Sequence, residues 1–265
     1  MQKKVQNIPN TMPATWQDCF NYSVRYVRFT NSTIQAVIHF RGKLDAVRLV
    51  RAVKLSVDAE PVLSCKFIER EDRPFWQRLT SQDSISWCKL EEVPDREKAV
   101  KGFLLEELDM DNDPQVLARV FRCGEQDTLC IKLNHTCCDG GSAKAYLRLL
   151  AGLYTQLGRD PAFLPEPNVS GIREQAPIFD VLGIKSSESD PDPETIGFAA
   201  PMPEPTWAFP WQQPGNSYQY ESAGIAISRI LSQDFQSISA YARGHGITIN
   251  DMLLISFFQS TIWHS

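Results

Sequence analysis

Residues 132–150 read KLNHTCCDGGSAKAYLRLL, and the reading of this stretch decides what the rest of the chain can be. Upstream of it, TLCIKL from Thr128 to Leu133 has the composition of a strand. Downstream, from Gly141, the residues Tyr146, Leu149, Leu150, Leu153 and Leu157 recur at helical spacing over about four turns. One histidine, two cysteines, an aspartate and two glycines therefore fall where a strand ends and a helix begins. A histidine at a strand terminus is within reach of a cleft, and imidazole is the side chain best suited near neutral pH to take a proton from a hydroxyl or amine. Asp139 can cap the helix or pair with a buried cation, and Gly140 and Gly141 permit close backbone approach or positive φ. The plainer reading is that Asp-Gly-Gly only starts a helix and His135 is a hydrogen-bonded core residue, and spacing alone leaves both readings open.

Working outward, the flanks read as a mixed α/β unit. QVLARVFR, from Gln115 to Arg122, and the TLCIKL strand bracket CGEQD as a hairpin. In TIQAVIHF (33–40), Ile34, Ala36, Ile38 and Phe40 alternate onto one face of a strand. Asp45 then caps a helix whose Ala46, Leu49, Val50, Val53 and Val57 form a stripe ending at Glu60-Pro61. VLSCKFI (62–68) is a further strand with RPFWQRL (73–79) as its hairpin partner, and Val100, Phe103, Leu104 and Leu108 mark a helix between Asp95 and Leu108. From Pro161 to Pro214 lie eleven of the seventeen prolines, which predicts an extended linker. Beyond it come a strand at 218–228, a helix from Ser232 to Arg243 and a last helix capped by Thr248 or Asn250. That last helix carries Leu253, Leu254, Phe257, Phe258 and Ile262 on its surface.

Composition bounds the function. The formal charge of -5 and the absence of a basic run leave little to neutralise phosphates, so nucleic acid is not an expected partner. Seven scattered cysteines suggest reduced thiols and a cytoplasmic setting, and no apolar run is long enough for a membrane span. A zinc site built from His135, Cys137 and Cys138 would draw three ligands from four consecutive residues, against the usual spacing, so no metal is expected. Ser142 lies outside a G-x-S-x-G elbow, and no glycine-rich phosphate loop occurs.

NHTCCDGG (134–141) resembles the H-H-x-x-x-D-G motif of the chloramphenicol acetyltransferase-like superfamily, which includes peptide-synthetase condensation domains and alcohol acetyltransferases. EPVLSCKF resembles the family's "hPxLR" stretch and GITINDMLL its "GxTxNDxLL" helix, so the likeness covers most of residues 14–157 and 218–263. The first motif histidine is Asn134 here, and Ser64 stands where the family often has arginine. The resemblance implies an α/β (α+β) lobe with a mixed sheet flanked by helices at 1–158, a crossover linker at 159–217, and at 218–265 the beginning of a second lobe that is incomplete. It implies that His135 is the general base and that Asp139 is an architectural partner of a cation, with Lys66 and Arg25 as candidates. It also implies that Asn134 and Gly140 lie at the substrate. The donor would be an acyl thioester of coenzyme A or of a carrier protein's phosphopantetheine, used as co-substrate with no tightly bound cofactor, and the acceptor an alcohol or amine. A carrier protein is then a candidate partner, as is a second lobe or second copy covering the last helix. The alternative is a non-catalytic binding or assembly module of the same descent.

Overall fold

The computed structural model describes residues 8–23, 33–70, 74–80, 82–106, 108, 113–169 and 229–263. The chain forms two compact units, residues 1–186 and 187–265. In the first, the elements run β1 (Thr11–Pro13), α1 (Trp16–Ser23), β2 (Thr33–His39), α2 (Ala46–Ala59), β3 (Cys65–Ile68), β4 (Phe75–Arg78), β5 (Cys88–Glu92), α3 (Arg96–Leu105), β6 (Val116–Cys123), β7 (Gln126–Asn134) and α4 (Gly140–Arg159). A four-stranded sheet has the order β2-β7-β6-β5, antiparallel except that β5 runs parallel to β6. A smaller antiparallel sheet has the order β1-β4-β3.

β7 is buried from Asp127 to Asn134 without alternation, because helices cover both faces of the sheet there. Leu129, Ile131 and Leu133 join Leu49 and Val53 of α2 and Tyr146 and Leu150 of α4 in the core. On the opposite face Lys132 sits over the Phe103 ring of α3 and donates to the Glu106 carbonyl, while Gln35 donates to Leu104 O at 2.8 Å. These two side chains satisfy carbonyls at the end of α3 that have no partner within the helix. Desolvation is the main reason the Lys132 ammonium is held below its ordinary pKa. The β6–β7 turn passes through Gly124 at φ +59, a left-handed conformation that costs glycine no Cβ clash.

α2 follows its sequence pattern. The Asp45 carboxylate accepts from Arg48 N at 3.0 Å, and Leu49, Ala52, Val53 and Val57 are buried, whereas Val50 is exposed. Where the sequence predicts a strand from Val62, residues Pro61–Ser64 form a 3-10 turn and β3 begins only at Cys65. Pro61 presets φ for the turn, and Leu63 N and Ser64 Oγ close it on the Glu60 and Pro61 carbonyls. Gln115 binds the two sheets together: its N donates to Leu63 O, its Nε2 to Cys65 O, and its carbonyl accepts from Asn134 N. α4 is longer than its predicted four turns and buries Ala143, Tyr146, Leu150, Leu153 and Leu157.

Of the predicted linker, residues 160–169 are described, and Asn168 N donates to Ala59 O at 2.7 Å, which fastens this segment to the end of α2. The remainder of the linker, the strand expected at 218–228 and Arg25 lie outside the described residues. In the second unit α5 (Ser232–Gly244) ends at Gly246, φ +67, where Ile247 N returns to Ala242 O. α6 (Ile249–Trp263) starts at Thr248, whose hydroxyl accepts from Asp251 N while Asp251 accepts from Thr248 N. Leu253, Leu254, Ile255, Phe257 and Phe258 on α6 are exposed.

Candidate functional site

The exit of β7 is built by Asn134. Its carboxamide oxygen accepts from Thr136 N at 2.9 Å, an Asx turn that bends the chain out of the sheet. Its carbonyl accepts from Cys137 N and from the thiols of Cys137 and Cys138, at 3.3, 3.4 and 3.2 Å. These two cysteines therefore serve the turn as weak donors. Elsewhere, burial pushes the Cys88 and Cys130 thiols up to about 11, which removes them as thiolate nucleophiles near neutral pH.

Asn134 and Thr136 are buried, but His135 between them is exposed, because the turn rotates its side chain out of the sheet. It lines a cleft of about 660 Å³, a volume in the range of small-molecule sites. The opposite wall is α1, the bottom is the 3-10 turn at Pro61–Leu63, and the near wall is the start of α4 as far as Leu149. Asn21 of α1 reaches across: its Nδ2 donates to the His135 carbonyl at 2.8 Å and stands 3.5 Å from the ring Nδ1.

α1 is placed by a capping box, with Thr15 Oγ1 accepting from Asp18 N at 3.1 Å and Asp18 Oδ2 accepting from Thr15 N at 2.8 Å. Asp18 is only 4% exposed and also accepts from the indole N–H of the fully buried Trp76 at 2.9 Å. That contact ties the cleft wall to β4. Apolar periodicity in the sequence does not point to Asn21, Asp18 or α1. The Thr-x-x-Asp pattern at 15–18 is the signal that could have found them.

Asp139 is the N-cap of α4, accepting from Ser142 N and Ser142 Oγ, both at 2.7 Å. The backbone hydrogen bond from Ser142 is the first cause of its carboxyl lying below the ordinary carboxylate pKa, followed by the Ser142 hydroxyl. Among the described residues no cation pairs with it. Lys66 is exposed on β3, opposite Gln77, and does not line the cleft. Asp139 thus fills the capping role that the sequence left open to it, while Arg25, the other candidate cation, lies outside the described residues. Of the two uses that the sequence left open to Gly140 and Gly141, neither residue has a positive φ. A Cβ at Gly140 would meet nothing within 4 Å, whereas one at Gly141 would stand 3.3 Å from Asp139 Oδ1, so the close approach is at Gly141.

No group of three or more His, Cys, Asp or Glu side chains among the described residues is arranged to hold a metal ion. No helix among them is long and apolar enough to cross a membrane. The cleft thus offers an exposed imidazole, an amide held against it, and an apolar floor made by Val62, Leu63 and Leu133.

Residues 28–170 match the family described as Condensation domain. A comparison with curated proteins gave no match. Among solved structures, the chain is similar to the X-domain from teicoplanin biosynthesis, at 17% identity and TM-score 0.53 over 68% of this chain and 41% of that one. It is also similar to the first condensation domain of the calcium-dependent antibiotic synthetase in complex with a substrate analogue, at 16% identity and TM-score 0.55 over 68% of this chain and 47% of that one. The chain spans less than half the length of either structure. At these identities the structures speak for the fold, a mixed sheet flanked by helices, while the family match covers more than half of the sequence and takes in every strand of the larger sheet. On that match the chain belongs to the condensation-domain family, a branch of the chloramphenicol acetyltransferase-like superfamily.

Proposed function

We propose that the cleft at the end of β7 is an acyl-transfer site in which His135 takes the proton from an alcohol or amine as that group attacks a thioester. Condensation domains form amide or ester bonds between carrier-protein-bound substrates. The thioester here is carried by a phosphopantetheine arm on a carrier protein, with coenzyme A as the other source of the same chemistry. The nucleophile's O–H or N–H proton passes to the imidazole, its lone pair bonds the carbonyl carbon, and the C–S bond breaks. The imidazolium then returns the proton to the departing thiolate, so the products are an ester or amide and a free thiol. The observation that carries this reading is the position of His135, which the Asx turn of Asn134 exposes in a 660 Å³ cleft while its neighbours on both sides are buried. Asp139 contributes by capping α4, which holds the near wall, and Asn134 by making the turn.

The test is acyl transfer from an acyl-pantetheine thioester to a small amine by the full chain, followed by mass spectrometry. Loss of the base in His135→Ala lowers the rate by roughly 10²- to 10⁴-fold. Equal rates in the two proteins remove His135 from the mechanism. A second reading, a non-catalytic module that binds a carrier protein, is favoured by Asn134: the motif's first histidine is replaced by a buried carboxamide whose oxygen is used up in the turn. Acyl-pantetheine binding without transfer by the unaltered chain would select that reading.

A further inference from the structure

The motif's two cysteines take no part in the proton transfer to His135. Cys137 and Cys138 are neighbours in sequence, both are in the thiol state, and both are half-buried and line the cleft. Their sulfurs converge on one atom, since Cys137 Sγ donates to the Asn134 carbonyl at 3.4 Å and Cys138 Sγ at 3.2 Å. That carbonyl belongs to the turn that presents His135, so a change at the two sulfurs changes the mounting of the ring. Cys137 ends the turn, and Cys138 stands between it and the first residue of α4, outside any strand or helix. The other five thiols are placed differently. Cys65, Cys88 and Cys130 are buried in strands, Cys19 lies on α1 and does not line the cleft, and Cys123 points at the Pro94 carbonyl at the end of β6. Burial raises the pKa of Cys19, as it does those of Cys88 and Cys130, and so withholds the thiolate that exchange chemistry needs.

We infer that Cys137 and Cys138 form a redox site, a dithiol that a small-molecule disulfide converts to a disulfide between neighbours, altering the turn that holds His135 in the cleft. The thiolate of one cysteine attacks one sulfur of the small disulfide, that S–S bond breaks, and one small thiol leaves with a proton. The thiolate of the other cysteine then attacks the protein sulfur of the mixed disulfide, the new S–S bond closes, and the second small thiol leaves with the second proton. The protein gives up two electrons and two hydrogens, which the small disulfide gains. Both S–H groups that donate to Asn134 O are consumed. Adjacent Cα atoms lie about 3.8 Å apart, below the roughly 4.4–6.8 Å usual for a disulfide, so the eight-membered ring is strained and a dithiol reductant reopens it. The effect on transfer rests on the acyl-transfer reading, whereas the oxidation itself does not.

The test treats the folded full chain with excess oxidised glutathione, then alkylates it in denaturant and digests it with trypsin. Cleavage after Lys132 and Lys144 gives a peptide, residues 133–144, whose only cysteines are Cys137 and Cys138. It is expected to escape alkylation and to be lighter than the reduced peptide by two hydrogen atoms, and dithiothreitol added before alkylation restores the doubly alkylated form. In Cys137→Ser and in Cys138→Ser, whose hydroxyl keeps a donor for Asn134 O, the peptide instead carries one glutathione, because no second thiol is there to displace it. Transfer by the unaltered chain falls on the order of tenfold on oxidation, as displacement of a reacting group does, and returns with dithiothreitol. The Cys137→Ser/Cys138→Ser double variant keeps its own untreated rate through the same treatment. A 133–144 peptide that in the unaltered chain is alkylated at both positions, carries glutathione or is cross-linked to another cysteine overturns the inference, as does a disulfide that leaves transfer unchanged. The disulfide formed in a chain that shows no transfer even when reduced would uphold the site and remove the acyl-transfer reading instead.

Discussion

Two helix beginnings face one another across the cleft, and they use one device to different ends. α1 starts with Thr15 and Asp18, α4 with Asp139 and Ser142, and in each an aspartate accepts from backbone N–H groups that the helix cannot satisfy itself. Asp18 is buried and reaches past its own helix to the indole of Trp76, so it joins α1 to the smaller sheet. Asp139 is exposed and, among the described residues, accepts within the first turn of α4, where it caps that helix. The residue that stands out in the sequence, within a recognisable motif, does local work. The inconspicuous one carries the wall that holds Asn21 against His135.

That contrast orders the expected effects. The largest belongs to the residue between the two caps: His135→Ala lowers acyl transfer by roughly 10²- to 10⁴-fold while urea denaturation stays close to that of the unaltered chain, since an exposed ring takes little packing with it. Next comes Asp18→Ala. It leaves the buried Trp76 N–H without its acceptor and costs about 1–3 kcal/mol, read as a lower urea midpoint, and it weakens transfer through the loosened wall. A midpoint lowered by no more than in Asp139→Ala would mean that Asp18 is as local as Asp139.

Asp139→Ala costs about 1 kcal/mol, the usual value of an N-cap, and Asp139→Ser recovers most of it. A loss well above that would show that Asp139 has a cationic partner after all. The smallest effect is one of pH. Because its folded-state pKa is lowered, chiefly by the Ser142 N–H, the Asp139 carboxylate contributes stability that is fully present above the unfolded carboxylate value and is lost as pH falls through the lowered one. Asp139→Asn, whose amide oxygen caps at any pH, flattens the acid side of the stability curve by a few tenths of a kcal/mol, as for other exposed charges near a helix start. A steeper acid slope in Asp139→Asn than in the unaltered chain would contradict the sign.

The sequence was most legible where apolar periodicity and burial coincide. β2, α2, the β6–β7 hairpin and α4 follow their patterns because each buries an apolar face or, for β7, both faces. It was least legible where short elements are held by polar groups. α1 has eight residues and buries Asp18 and Tyr22, and a buried aspartate breaks the apolar stripe by which a helix is found. β5 reads CKLEE, with charges that the edge of a sheet leaves in water, and only pairing with β6 makes it a strand. Pro61 delayed β3 by closing a 3-10 turn where β-type residues stood. At the site, His135 and Asp139 were visible through the motif. Asn21 lies more than a hundred residues away, and only folding brings it to the ring.

The account depends on an imidazole that accepts a proton in the cleft, and chemical rescue addresses it most directly. In a single-turnover acyl-pantetheine transfer assay, free imidazole is expected to restore part of the rate lost in His135→Ala, saturating with concentration, and to leave Asp139→Ala and the unaltered chain as they were. Imidazole that accelerates all three proteins alike, or none of them, would contradict it.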